Sequence, residues 1–328
     1  MIATVGVLGG GAWGTALALT AARAGRLTKL WGRSIATVNA INQRRDNAKY
    51  LPGIAFDAPV AATVQLAEAV AAVDLVIVAV PAQAVRAVVG VVARHVSASP
   101  PLIIAAKGLE RGTAKRMTQV VGEAAPRLTP AVLSGPSFAI DVARGLPTAV
   151  TIAAADEGLA LDLCRALGHG AFRPYAETDV LGVEIGGAVK NVLAIAAGIV
   201  AGRKLGASAV AALTARGFAE LRRLGEALGA RPDTLMGLSG LGDLMLTTST
   251  TQSRNFSYGI AVGEGRDREA PHPLVEGIET AAVTRDLARR HTIDMPIVDA
   301  VAAVLAGTIS VDAAIESLMS RPLKREAG

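Results

Sequence analysis

The chain has 328 residues, of which 51% are hydrophobic and 19% charged, with a formal net charge of +5. That length exceeds the roughly 250–300 residues that one hydrophobic core serves, so two domains are expected. The apolar fraction excludes intrinsic disorder as the main state. A single cysteine, Cys164, excludes a disulfide framework, and the four histidines show no HxxxH or HExxH spacing, so no metal site is expected.

The basic residues are scattered, without a long run or interleaved aromatics, so nucleic acid is not expected as a partner. Attraction to a small anionic ligand remains. Mean hydropathy is +0.42, which raises the question of a membrane segment. The uncharged stretch 1–22 is cut by Gly9, Gly10, Gly11 and Gly14 and has no basic residue ahead of its apolar part. Neither a spanning helix nor a secretory signal fits it. A cytoplasmic protein without stable membrane insertion is expected.

In chain order, Thr4–Leu8 reads as a short strand that stops at glycines, and Ala12–Ala24 as the helix after it. Leu27–Trp31 is a second strand, followed by a helical pattern over Ser34–Arg45. Asp74–Val80 (DLVIVAV) is a continuous apolar, β-branched run ended by Pro81, the mark of a buried strand. Leu102–Ala105, Ala131–Leu133, Ala149–Ala153 and Ala171–Tyr175 continue the series. Such alternation predicts an α/β domain over 1–180 with a Rossmann-type, doubly wound parallel sheet. Beyond it, Val183–Val200, Ala207–Leu228, Glu279–Arg290 and Val298–Ala306 read as helices without strands, predicting an all-α C-terminal domain over 181–328.

Seven motifs could carry chemistry. Gly9-Gly10-Gly11-Ala12-Trp13-Gly14 is a GxGxxG between a strand and a helix, where glycines let backbone approach a pyrophosphate at a helix N-terminus. The second strand ends Trp31-Gly32-Arg33-Ser34 without the carboxylate that holds an NAD ribose, so Arg33 points to a 2′-phosphate and NADP(H) over NAD(H). Lys107 and the turn Ser134-Gly135-Pro136-Ser137 each follow a strand, at the sheet edge where ligands bind. Gly186-Gly187 inside a helix cost about 1 kcal/mol each against alanine, so something packs closely there. Glu184, Gly187 or Ala188, and Asn191 share that helix face. Lys190, flanked by apolar residues, is expected to be desolvated, which lowers an amine pKa toward acid–base use. Gly237-Leu238-Ser239-Gly240-Leu241-Gly242-Asp243 presents a carboxylate from a shaped turn, and Gln252-Ser253-Arg254-Asn255 suits a phosphate.

Together these stretches resemble the bacterial NAD(P)-dependent glycerol-3-phosphate dehydrogenase family. The resemblance rests on GGGAWGTALA (9–18), LWGR (30–33), NAKYLPG (47–53), AAKGLE (105–110), SGPSFA (134–139) and GLPTAV (145–150). It continues in GGAVKNVLAIAAGI (186–199), GLSGLGDL (237–244), QSRN (252–255) and VEG (275–277). It implies that Gly9, Gly11, Ala12, Trp13 and Gly14 hold the cofactor pyrophosphate and that Arg33 meets the adenosine ribose or its phosphate. Ala139, Leu274 and Glu276 would approach the cofactor; Lys107 and Arg254 would touch cofactor and substrate. Gly135, Ser137, Asp243, Ser253 and Asn255 would line the substrate site, with Lys190 the catalytic proton donor and acceptor. It further implies NADP(H) and/or NAD(H) as cofactor, dihydroxyacetone phosphate as the small phosphate substrate, a place in phospholipid synthesis and a homodimer. Another two-domain dehydrogenase, acting on a β-hydroxy acid or ketopantoate, is the alternative.

Overall fold

The protein is described by a computed structural model covering residues 2–96, 98–266 and 274–322; His272 and the polar tail after 322 lie outside the described residues. The N-terminal half alternates β1 (Thr4–Leu8), α1 (Ala12–Arg23), β2 (Leu27–Trp31), α2 (Ile35–Arg44), β3 (Val60–Thr63), α3 (Leu66–Val70), β4 (Leu75–Val78) and α4 (Val85–His95). It continues with β5 (Leu102–Ile104), α5 (Met117–Ala124), β6 (Pro130–Ser134), α6 (Ala139–Ala143), β7 (Thr148–Ala154), α7 (Glu157–Leu167) and β8 (Phe172–Glu177). The strands form one sheet in the order β3-β2-β1-β4-β5-β6-β7-β8. The first six follow the doubly wound dinucleotide-binding order.

Burial explains why some strands read clearly. β4 (LVIV) and β5 (LII) are buried on both faces, as central strands between two helical layers must be, and so are continuously apolar. β3 (VAAT) is an edge strand with no fully buried residue, so it carries no hydropathy pattern that marks a strand in the sequence. The all-parallel expectation needs one correction. β6 and β7 pair antiparallel, with Leu133 opposite Ile152. The five residues of α6 rise only about 7 Å, too little to travel back along β6. The chain therefore re-enters the sheet from the edge it left.

Past β8 the described residues contain only helices: α8 (Val180–Gly202), α9 (Ala207–Ala227), α10 (Pro232–Met236), α11 (Asp243–Thr248), α12 (Arg254–Gly263), α13 (Glu276–Arg290), α14 (Pro296–Leu305) and α15 (Val311–Met319). α8 is long and apolar enough to cross a membrane, yet 94% of its apolar window is buried inside the protein, so it is the core around which α9, α12 and α13 pack. α12 lies close against it through glycines. A Cβ on Gly198 would meet the Phe256 carbonyl, and one on Gly259 the Ile195 carbonyl. This contact fixes the N-terminus of α12, which carries Arg254 and Asn255. The C-terminal ends of β5 and β6 meet the first half of α8, and the candidate site lies at that junction.

Candidate active site

The first part of the site is the turn after β1. Gly9 has φ +130°, and its N–H donates to Trp31 O at 3.0 Å. A Cβ on Gly14 would sit 1.9 Å from the Gly9 carbonyl oxygen, so only glycine permits so tight a turn. A Cβ built on Gly11 meets nothing within 4 Å, which marks open space beside the turn. Gly11 is the N-cap of α1 and offers no side-chain hydrogen bond to the first-turn amides. These amides and the positive helix end therefore suit an anion in that space. Trp13 Nε1 is buried with no partner among the described residues. Arg33 is exposed just beyond β2, and Gly32 approaches Gly10 to within 3.2 Å of a Cβ built there. The cradle, the uncapped amides and the cation at the strand end fit a phosphorylated dinucleotide.

The second part is a buried charge cluster. Lys190 Nζ donates to Asp243 Oδ1 at 2.5 Å and to Thr247 Oγ1 at 2.9 Å. Lys107 Nζ donates to the other carboxylate oxygen, Asp243 Oδ2, at 2.6 Å and to Gly135 O at 3.1 Å. One carboxylate thus serves two ammonium groups, one from each half of the chain. Burial lowers the Lys190 amine to about 8, with Asp243 opposing the shift and Lys107 adding to it. Burial alone would raise the Asp243 carboxyl, but Lys107 and Lys190 outweigh it and hold the group below the usual range.

Local sequence explains the convergence. Lys107 follows β5 and Gly135 follows β6 on the same sheet edge. The glycine pair in α8 lets two neighbours close in: a Cβ on Gly186 would lie 2.7 Å from Ser239 O, and one on Gly187 2.7 Å from Ser134 Oγ. Residues 238–242 form a wide helical turn that delivers Asp243 to the start of α11. Such widened turns recur at functional sites.

A chain of amides continues from the cluster. Asn191 Nδ2 donates to Lys107 O at 3.2 Å, and Asn255 Nδ2 donates to Asn191 Oδ1 at 2.9 Å. Asn255 Oδ1 in turn accepts from Gly277 N at 2.9 Å. Glu276 Oε1 accepts from Ala82 N at 3.4 Å; burial raises its carboxyl, and Arg254 opposes the shift.

The remaining expected residues take differing positions. Ser137 Oγ donates to Gly135 O, the oxygen that Lys107 also uses. Ser253 is buried and caps α12, accepting from Phe256 N at 3.2 Å. Arg254 is exposed at the first position of that helix, and Leu274 is exposed ahead of α13. Ala139 opens α6, which packs on α1. Gly9, Gly11, Ala12, Trp13 and Gly14 stay together at the β1–α1 turn, and Arg33 follows Gly32, which packs beside Gly10. Glu184, on the same stretch of α8, turns instead to the start of α5 and takes no part in the cluster. Sequence reasoning passed over Thr247 as a partner of the cluster. The signal was available, since Thr247 lies four residues after Asp243 and so on its helix face. Among the described residues no group of three or more His, Cys, Asp or Glu side chains could hold a metal ion.

Comparison with known proteins places this geometry. The family profile "NAD-dependent glycerol-3-phosphate dehydrogenase N-terminus" matches residues 4–160, and the corresponding "C-terminus" profile matches 179–316. The chain is 59% identical to the NAD(P)+ glycerol-3-phosphate dehydrogenase of Azorhizobium caulinodans, over 98% of both chains. It is 57% identical to that of Bradyrhizobium diazoefficiens, with the same coverage. The crystal structure of glycerol-3-phosphate dehydrogenase from Coxiella burnetii superposes with a TM-score of 0.92 at 37% identity, covering 98% of this chain and 99% of that one. A PanE/ApbA family ketopantoate reductase from Ralstonia eutropha shares the fold alone, with a TM-score of 0.58 at 15% identity, covering 96% of this chain and 100% of that one. The chain belongs to the NAD(P)-dependent glycerol-3-phosphate dehydrogenase family.

Proposed function

We propose that the protein interconverts sn-glycerol 3-phosphate and dihydroxyacetone phosphate with NAD(P)+ and NAD(P)H, in the cytoplasm, as a homodimer that supplies phospholipid synthesis. The observation that carries the reading is the Asp243 carboxylate, buried and shared by Lys107 and Lys190 at the sheet edge. Its two cations leave a surplus positive charge, which suits a phosphorylated carbonyl compound. We take 1–180 as the dinucleotide-binding domain and 181–328 as the substrate domain, with the site at their junction.

Gly9, Gly11, Ala12, Trp13 and Gly14 would hold the cofactor pyrophosphate, and Arg33 its adenosine end, in a position that suits a 2′-phosphate. Ala139, Leu274 and Glu276 would border it. When bound, the cofactor supplies or accepts the hydride. Lys190 would donate a proton to the carbonyl oxygen in reduction and take one from the hydroxyl in oxidation, a role suited to an amine near 8. Asp243, bonded to both lysines, would orient them, and Lys107 would meet both ligands. Gly135, Ser137, Ser253, Arg254 and Asn255 would bind the remainder of the substrate. Arg254 and Asn255 would hold the phosphate, whose binding energy fixes the carbonyl for transfer.

Absorbance at the reduced nicotinamide band tests the reading. Purified protein should oxidise NADPH or NADH with dihydroxyacetone phosphate and leave ketopantoate and β-keto acids unreduced. Turnover of ketopantoate instead would transfer the chain to the alternative dehydrogenase class.

A further inference from the structure

The segment Asn47-Ala48-Lys49-Tyr50-Leu51-Pro52-Gly53 supplies none of the site residues placed above, yet it is built into the dinucleotide turn. Leu51, Ile54 and Phe56 are buried in the core of the sheet domain, and Leu51 N donates to Asn47 O at 2.8 Å. The loop is thereby anchored beneath the turn. Asn47 itself is 1% exposed. Its Nδ2 donates both to Gly10 O at 3.1 Å and to Thr15 Oγ1 at 2.8 Å, while its Oδ1 has no partner among the described residues. The Gly10 carbonyl can only accept, so the donating nitrogen must face it.

The geometry of one peptide plane gives these bonds a consequence. In a trans peptide the carbonyl of residue 10 and the N–H of residue 11 point in opposite directions. Fixing Gly10 O toward Asn47 therefore turns the Gly11 N–H away from it, out of the buried side of the turn. The reverse orientation would present a carbonyl oxygen to an incoming phosphate. Thr15 stands one turn into α1, so the second bond ties the same amide to the helix whose N-terminus faces the ligand.

We propose that Asn47 is a positioning residue for the cofactor: it locks the Gly10–Gly11 peptide in the orientation that receives the pyrophosphate. The inference rests on the dinucleotide reading of the turn. Asn47→Asp keeps the shape of the side chain but replaces the donor with an acceptor. Dissociation constants for NADP+ and NAD+ follow from the fluorescence of the two tryptophans, Trp13 and Trp31, with steady-state kinetics measured alongside.

Asn47→Asp should weaken cofactor binding by about ten- to a hundred-fold, the range for a buried hydrogen-bonded group left unsatisfied. At saturating cofactor, kcat and the KM for dihydroxyacetone phosphate should stay close to wild type, because the Lys107–Asp243–Lys190 cluster is untouched. A general loss of structure would move all three quantities together. Should the aspartate variant fail to fold, Asn47→Ala removes the donor without adding charge and should weaken cofactor binding by about five-fold or more. Unchanged cofactor affinity in a folded variant would overturn the proposal, as would a loss of kcat at saturation equal to the loss of affinity. Failure of the wild-type protein to bind either dinucleotide would instead overturn the reading of the turn itself.

Discussion

Two buried carboxylates meet cations along the first half of α8, and their contrast shows what separates a site from a strut. Glu184 accepts from Arg116 Nη1 at 2.7 Å, Thr118 N at 2.8 Å and Thr118 Oγ1 at 2.7 Å. One anion meets one cation there, and the remaining donors belong to the first turn of α5. Asp243 meets two cations, Lys107 and Lys190, one from each half of the chain, so this cluster holds one more ammonium than its carboxylate can balance. The carboxyl pKa values shift in opposite directions. Burial raises Glu184 despite Arg116, whereas the two lysines overcome burial at Asp243 and lower it. A balanced buried pair ties elements together; an unbalanced one holds a charge ready for a ligand.

Substitutions that disturb one cluster and spare the other sharpen the contrast. The largest expected effect is that of Lys190→Ala. Turnover should fall by about 10²–10⁴, the contribution of a positioned general acid, while the cofactor dissociation constant stays near wild type. Near-normal turnover would remove Lys190 from the chemistry. Asp243→Asn should come next. It leaves two ammonium groups facing each other in a buried place, at a cost of about 3–5 kcal/mol in stability. Both the unfolding midpoint and kcat should drop, which calorimetry and the absorbance assay would record.

Glu184→Gln should have the smallest effect and a different character. The unfolding free energy should fall by about 1–3 kcal/mol with kcat unchanged, as befits a group that only braces α5 against α8. The pH dependence has a definite sign. A carboxyl whose pKa is raised on folding contributes its stability at low pH and loses it as pH rises through the raised value. The deficit of the glutamine variant should therefore narrow as pH rises. A Glu184→Gln protein that loses turnover before it loses stability would erase the distinction between the two clusters.

Legibility in the sequence follows the same division between local and assembled features. The β1–α1 turn was readable because GxGxxG between a strand and a helix encodes its own geometry. Lys190 stood out because its apolar flanks on a glycine-bearing helix announced burial. Central strands such as β4 were clear from continuous apolar runs, whereas the edge strand β3, lacking a buried face, gave no pattern. The antiparallel β6–β7 pair depends on how far α6 carries the chain, which hydropathy does not report. That Asp243 would be shared by Lys107 and Lys190 depends on residues 136 and 53 positions away from it. No local pattern encodes such a meeting. Asn47 lies in the NAKYLPG stretch, but its bond to the glycine turn spans 37 positions.

The most direct test of the central claim, that Lys190 moves the proton, is the pH dependence of kcat/KM in both directions on the same preparation. The amine is lowered to about 8, so its protonated form is lost as pH rises through that value. Reduction of dihydroxyacetone phosphate needs the protonated amine and should decline above about 8; oxidation of glycerol 3-phosphate needs the neutral amine and should climb through the same pH. Limbs of opposite slope sharing one midpoint would support the account. Limbs of the same slope, or no inflection near that pH in either direction, would contradict it.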